Sequence, residues 1–118
     1  RVRAGRSVKS REQLITRTLQ KLKVLAAGQQ PSAEDAQVVR DEIPAVLSDL
    51  SKRRVYTVGD PDQIEDEAYV HLADILAVSL AGDFGVEQDE SKRLLAEGRL
   101  RMLMAETLSG QAQQTDYF

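Results

Sequence analysis

Residues 22–36 read Leu-Lys-Val-Leu-Ala-Ala-Gly-Gln-Gln-Pro-Ser-Ala-Glu-Asp-Ala, and this run constrains the fold most. It ends one apolar helical pattern and opens another within a few residues. Gly28 follows the first pattern and can take the left-handed conformation that closes a helix, because it has no Cβ to clash. Ser32 precedes Ala33-Glu34-Asp35; its hydroxyl can accept from a free backbone N–H while two carboxylates face the positive helix end. Such a short corner makes the two helices packing neighbours.

Four amphipathic segments follow from the spacing of apolar residues. Ser10 and Gln13 form a capping box, which predicts a first helix over residues 11–27. Its stripe is Leu14, Ile15, Thr18, Leu19, Leu22, Leu25 and Ala26, with Arg17 and Lys21 on the other side. A second helix is expected from Ser32 to about residue 51, with Ala36, Val39, Ile43, Val46, Leu47 and Leu50 inward. Pro44 lies inside it and predicts a kink near residues 40–43 or a split into two helices. Val55-Tyr56-Thr57-Val58 reads as a short strand, closed by Gly59-Asp60-Pro61. Asp60, Pro61 and Gln63 predict the start of a third helix, and Gly82 its stop. Phe84 should fold back onto the core. A fourth helix is expected over residues 88–109, patterned by Leu94, Leu95, Met102, Leu103, Ala105, Glu106 and Leu108.

The fold class is therefore all-α: a small four-helix bundle with a β-prone loop between helices two and three. Residues 1–9 form a basic arm, residues 10–109 the helical domain, and residues 110–118 an extended polar tail. At 118 residues the chain is one domain, and an aromatic fraction of 4% leaves an aliphatic core. No stretch is long and apolar enough to cross a bilayer, so no membrane contact is expected.

Charge separates along the chain. Residues 1–23 hold eight basic side chains against Glu12 alone; the rest holds eight bases and 18 acids. A basic end and an acidic body suit either a solvated arm, contact between subunits, or contact with phosphates. Arg1, Arg3, Arg6, Lys9 and Arg11, with Lys52, Arg53 and Arg54, are the candidates for subunit or DNA contact.

Catalytic chemistry has little to stand on. There is no Cys, and His71 is the single histidine, within a helical turn of Glu67 and Asp74. One His without Cys is a poor zinc site, and no nucleophile or phosphate loop sits in a recognisable motif. The sequence points away from an enzyme and requires no cofactor or metal. The tail ends in Tyr117 and Phe118, two of five aromatics, placed where they suit docking into another protein.

The run Ile15-Thr-Arg-Thr-Leu-Gln-Lys-Leu-Lys-Val-Leu-Ala-Ala-Gly-Gln-Gln-Pro-Ser-Ala-Glu-Asp-Ala36 resembles the opening of head-to-tail adaptor proteins of tailed bacteriophages, the head-completion or packaged-DNA stabilisation proteins. In that family a first helix ends in Ala-Ala-Gly, a Pro-Ser corner follows, and a second helix opens with acids and alanine. The likeness covers about residues 11–50; beyond that the helix order alone agrees. An aromatic common near the end of helix two in the family is missing from Ser48 to Lys52 here, and Pro44 is unusual.

The resemblance implies a non-enzymatic virion protein at the head–tail interface, present in the host cytoplasm during assembly. It implies a homo-oligomer, a dodecameric ring, beneath the portal protein and above tail or neck proteins, with packaged double-stranded DNA passing through. C-terminal segments of the family grip the portal; carried over, the portal-binding candidates are Gln111, Gln113, Gln114, Thr115, Asp116, Tyr117 and Phe118. The competing expectation is a small helical DNA-binding protein using the basic arm and helix one. Against it, helix two opens with Glu34 and Asp35, the wrong charge beside phosphates.

Overall fold

The computed structural model describes the backbone of residues 7–115 and side chains through residue 109. The elements run β1 (Val8–Lys9), α1 (Arg11–Lys21), α2 (Ala33–Lys52), β2 (Ile64–Glu65), α3 (Asp66–Leu80), a 3-10 turn (Ala81–Phe84) and α4 (Glu90–Thr115).

α1 starts where its capping box places it. The Gln13 N–H donates to the Ser10 hydroxyl at 3.2 Å, and the Gln13 side chain accepts from the Ser10 N–H at 2.8 Å. It ends at Lys21, six residues before the expected stop. Lys23 takes a left-handed φ of 64°. The Lys23 N–H then bonds to the Gln20 carbonyl and the Val24 N–H to the Leu19 carbonyl, the paired bonds of a Schellman cap. Gly28 does have a left-handed φ, 84°, but in the loop beyond the helix rather than at its end.

α2 starts as expected, with the Asp35 N–H donating to the Ser32 hydroxyl at 3.1 Å. It runs unbroken through Pro44, so the split into two helices does not occur. Pro44 is exposed, where water can take the Arg40 carbonyl that proline leaves without a donor. α2 stops on the same cap as α1: Arg54 has φ 59°, Arg54 N–H bonds to Ser51, and Val55 N–H to Leu50. That cap replaces the expected strand. Val55 and Tyr56 are buried as a loop anchor, their N–H groups turned back to the helix end.

The strand instead forms at Ile64–Glu65, antiparallel to Val8–Lys9, with Val8 opposite Glu65 and Lys9 opposite Ile64. The expected arm is thus pinned at residues 8–9. Asp60 does not cap α3. Its carboxylate accepts from the Asp62 N–H at 2.9 Å, closing a turn, and α3 begins three residues after Gln63.

α3 is the centre of the bundle, packing chiefly against α4 and α1. Ala68, Leu72, Ala73, Ile75, Leu76 and Leu80 are buried on it, and its alanines allow close approach. The helix ends at Leu80 rather than Gly82. A 3-10 turn and left-handed Gly85 (φ 69°) carry the chain away, and Phe84 packs back on the core as expected.

α4 corrects the sequence pattern most. Among the described side chains of α4, Ala96, Glu97 and Leu100 are buried, with Leu103 and Met104 half-buried. Leu94, Leu95, Met102 and Leu108, expected inward, are 58%, 61%, 60% and 56% exposed. α4 also continues to Thr115, over most of the expected extended tail.

Candidate functional site

Three basic residues near the N-terminus, Lys9, Arg11 and Lys21, are engaged within the chain. Lys9 pairs with Asp66 at 3.1 Å and lies 5.7 Å over the Tyr69 ring. Hydrogen bonds from Lys9 and then Ser7 hold the Asp66 carboxyl below the usual carboxylate range. Arg11 pairs with Asp62 at 3.3 Å, and Lys21 with Asp74 at 2.8 Å. Arg1, Arg3 and Arg6 lie outside the described residues.

The Lys52-Arg53-Arg54 run does not act as one patch. Lys52 and Arg54 are exposed, whereas Arg53 turns onto α4. Arg53 Nη1 and Nη2 donate to the two Glu97 oxygens at 3.1 and 2.8 Å, and its Nε donates to Asp49 at 3.0 Å. Arg93, one turn before Glu97, donates to the same carboxylate at 2.6 Å and also pairs with Glu90. Glu97 is 2% exposed and is satisfied by two guanidinium groups, foremost Arg53, which hold its carboxyl below the ordinary range. This cluster closes an open groove of about 230 Å³ between α2, α3 and α4, with Glu42 bonded to Ser79 at its rim. Every charge there has a partner, so it works as a lock between helices.

His71 is half-buried, and burial pushes its pKa down, opposed by Asp74 and reinforced by Arg99 and Lys21. Asp74 is held by Lys21. Among the described residues no group of three His, Cys, Asp or Glu is placed to hold a metal ion, and no helix is long and apolar enough to cross a membrane.

Of the tail candidates, Gln111, Gln113, Gln114 and Thr115 lie on the last turns of α4, while Asp116, Tyr117 and Phe118 lie outside the described residues.

The surface that sequence pattern missed is the outer face of α4. Leu94, Leu95, Met102 and Leu108 stand there around Gly98, with open space beside Gly98. The signal was present in part: at about 100° per residue, Leu94, Leu95 and Met102 lie about 100–160° from Ala96 and Leu100, whereas Leu108 lies only about 80° from Leu100. Four large apolar side chains of α4 are thus left facing solvent.

No family model, curated protein or solved structure matches this chain.

Proposed function

We propose that this chain is a structural protein of a tailed-phage virion, forming a ring between the portal and the tail. In that role it extends the DNA channel and retains packaged DNA, with no reaction to catalyse. The observation that carries the reading is the exposed apolar face of α4, which needs protein cover along its length. The resemblance of residues 15–36 to the adaptor family says which kind of assembly would provide it. The Ser32 cap opens α2 where the resemblance has its Pro-Ser corner, whereas α1 ends at Lys21, before the Ala26-Ala27-Gly28 that closes the family's first helix.

The DNA-binding alternative is less well supported. Lys9, Arg11 and Lys21 would have to release Asp66, Asp62 and Asp74 before reaching phosphates. α2 presents Glu34 and Asp35 in its first turn, where a recognition helix would meet a groove.

The test is the mass of the assembly formed with portal rings of the same phage. A ring-former adds many copies per portal; a DNA reader adds none and retards duplex DNA at low salt. Deleting residues 110–118 should abolish portal binding and cost only the helical circular dichroism of the last turns of α4. Undiminished portal binding by the truncated chain would remove the tail from this role.

A further inference from the structure

We propose that Met102 is a methionine oxidation site: a peroxide converts its thioether to the sulfoxide on the folded chain, and the fold carries the change unharmed. The chain has no Cys and no Trp, and its two methionines are Met102 and Met104. Thioethers are therefore the softest groups it offers to a peroxide. The two stand two residues apart on one helix, and α4 turns them to opposite sides. At about 100° per residue, Met102 lies about 160° from the buried Leu100, and Met104 only about 40° from it. Met102 is accordingly 60% exposed, whereas Met104 is half-buried and packs against the core.

The surroundings of Met102 on α4 give little shelter. Its neighbours one turn away are Gly98, Arg99, Ala105 and Glu106. A helical side chain leans toward the residues three and four before it, here Arg99 and Gly98. Gly98 has no side chain, and the space its Cβ would occupy is open. Arg99, Ala105 and Glu106 are exposed. Oxidation breaks the O–O bond of hydrogen peroxide and transfers one oxygen to Sδ. The sulfur gives up two electrons, and the other oxygen leaves as water. The product is a polar, chiral side chain in place of an apolar one. At Met102 that sulfoxide stays in water, so the fold loses little. The outer side of α4, where Leu95 stands two turns before it, becomes less apolar. At Met104 the same step would set a polar group against the core, where it is costly without a partner.

The experiment treats the full chain with dilute hydrogen peroxide at neutral pH and quenches samples at intervals with free methionine. Fragmentation mass spectrometry then locates the added oxygen, because one tryptic peptide holds both residues. Met102 should gain oxygen faster than Met104 by about threefold or more in the folded chain. In urea that unfolds the chain, the two rates should converge. Met102→Leu should leave the slow rate alone. Chain oxidised at Met102 should keep its melting temperature within about 2 °C and elute earlier from a hydrophobic-interaction column. Equal rates in the folded chain, or faster oxidation of Met104, overturn the proposal. So does a melting temperature that falls further with the first oxygen, or an elution that does not move. A rate ratio that persists in urea overturns it as well, because local sequence rather than the fold would then set it.

Discussion

Replacing Glu97 by Gln should lower the melting temperature by about 8–12 °C at neutral pH. Glu97 accepts three charge-assisted hydrogen bonds from Arg53 and Arg93, at 2.6 to 3.1 Å, while 2% exposed. Bonds to a charged group contribute about 1.5–3 kcal/mol each when fully buried. The sum is smaller here because the Arg53 side chain is 39% exposed and solvent screens it. Arg53 also keeps Asp49, and Arg93 keeps Glu90, so no cation is left orphaned. A net loss of about 2–3 kcal/mol results, and a chain of this length loses about 4 °C per kcal/mol. The carboxamide aims an N–H₂ at guanidinium donors, so it cannot replace the lost acceptor. The pH dependence has a definite sign. The folded state holds Glu97 below its ordinary value of 4.5, so its stabilisation is full above that pH and fades as pH falls through the folded value. The gap between wild type and variant should therefore close on acidification. Thermal unfolding of both proteins from pH 7 to pH 3 measures it. Equal melting temperatures at pH 7, or a gap that persists unchanged in acid, would refute the lock.

Three backbone substitutions test the helix ends and interior. Lys23→Gly and Arg54→Gly should each stabilise the fold by about 0.5–1 kcal/mol, because both residues hold a left-handed φ that glycine adopts freely; chemical denaturation reads the gain, and a loss at both sites would contradict the cap assignment. Pro44→Ala should raise the melting temperature by several degrees, since it restores a donor for the Arg40 carbonyl within α2 and removes a ring clash worth up to about 3 kcal/mol.

The parts of the fold that sequence made legible are those set by local chemistry. Ser10 with Gln13, and Ser32 with Asp35, form the caps their spacing predicts. The inward residues of α1, α2 and α3 follow a 3.6-residue period because one side of each meets the core. The helix stops were not legible. Lys23 and Arg54 adopt a conformation their side chains disfavour, and packing of the following segment, with Val55 buried, holds it. Asp60 resembled a helix cap but serves a turn, since the strand pairing of residues 64–65 with 8–9 comes first. α4 misled for a different reason. Both of its sides are apolar in places, and periodicity alone does not say which side meets the chain's own core. The buried acid Glu97 marks the inner side, yet a glutamate is the last residue a pattern would place there.

The charge polarity of the sequence takes a different meaning once the ion pairs are placed. A basic end and an acidic body suggest that unlike ends of neighbouring copies attract. Lys9, Arg11 and Lys21 instead meet Asp66, Asp62 and Asp74 of the same chain. Three of the eight bases in residues 1–23 are therefore matched by folding, which fastens β1 and α1 to α3 and to the turn before it. Contact between copies cannot draw on those charges a second time. What α4 leaves exposed is apolar area at Leu94, Leu95, Met102 and Leu108, beside the exposed Arg99, Arg101 and Glu106. Apolar area would give a contact there its strength and make it tolerant of salt. A contact held by phosphates would behave in the opposite way, weakening steeply as salt rises.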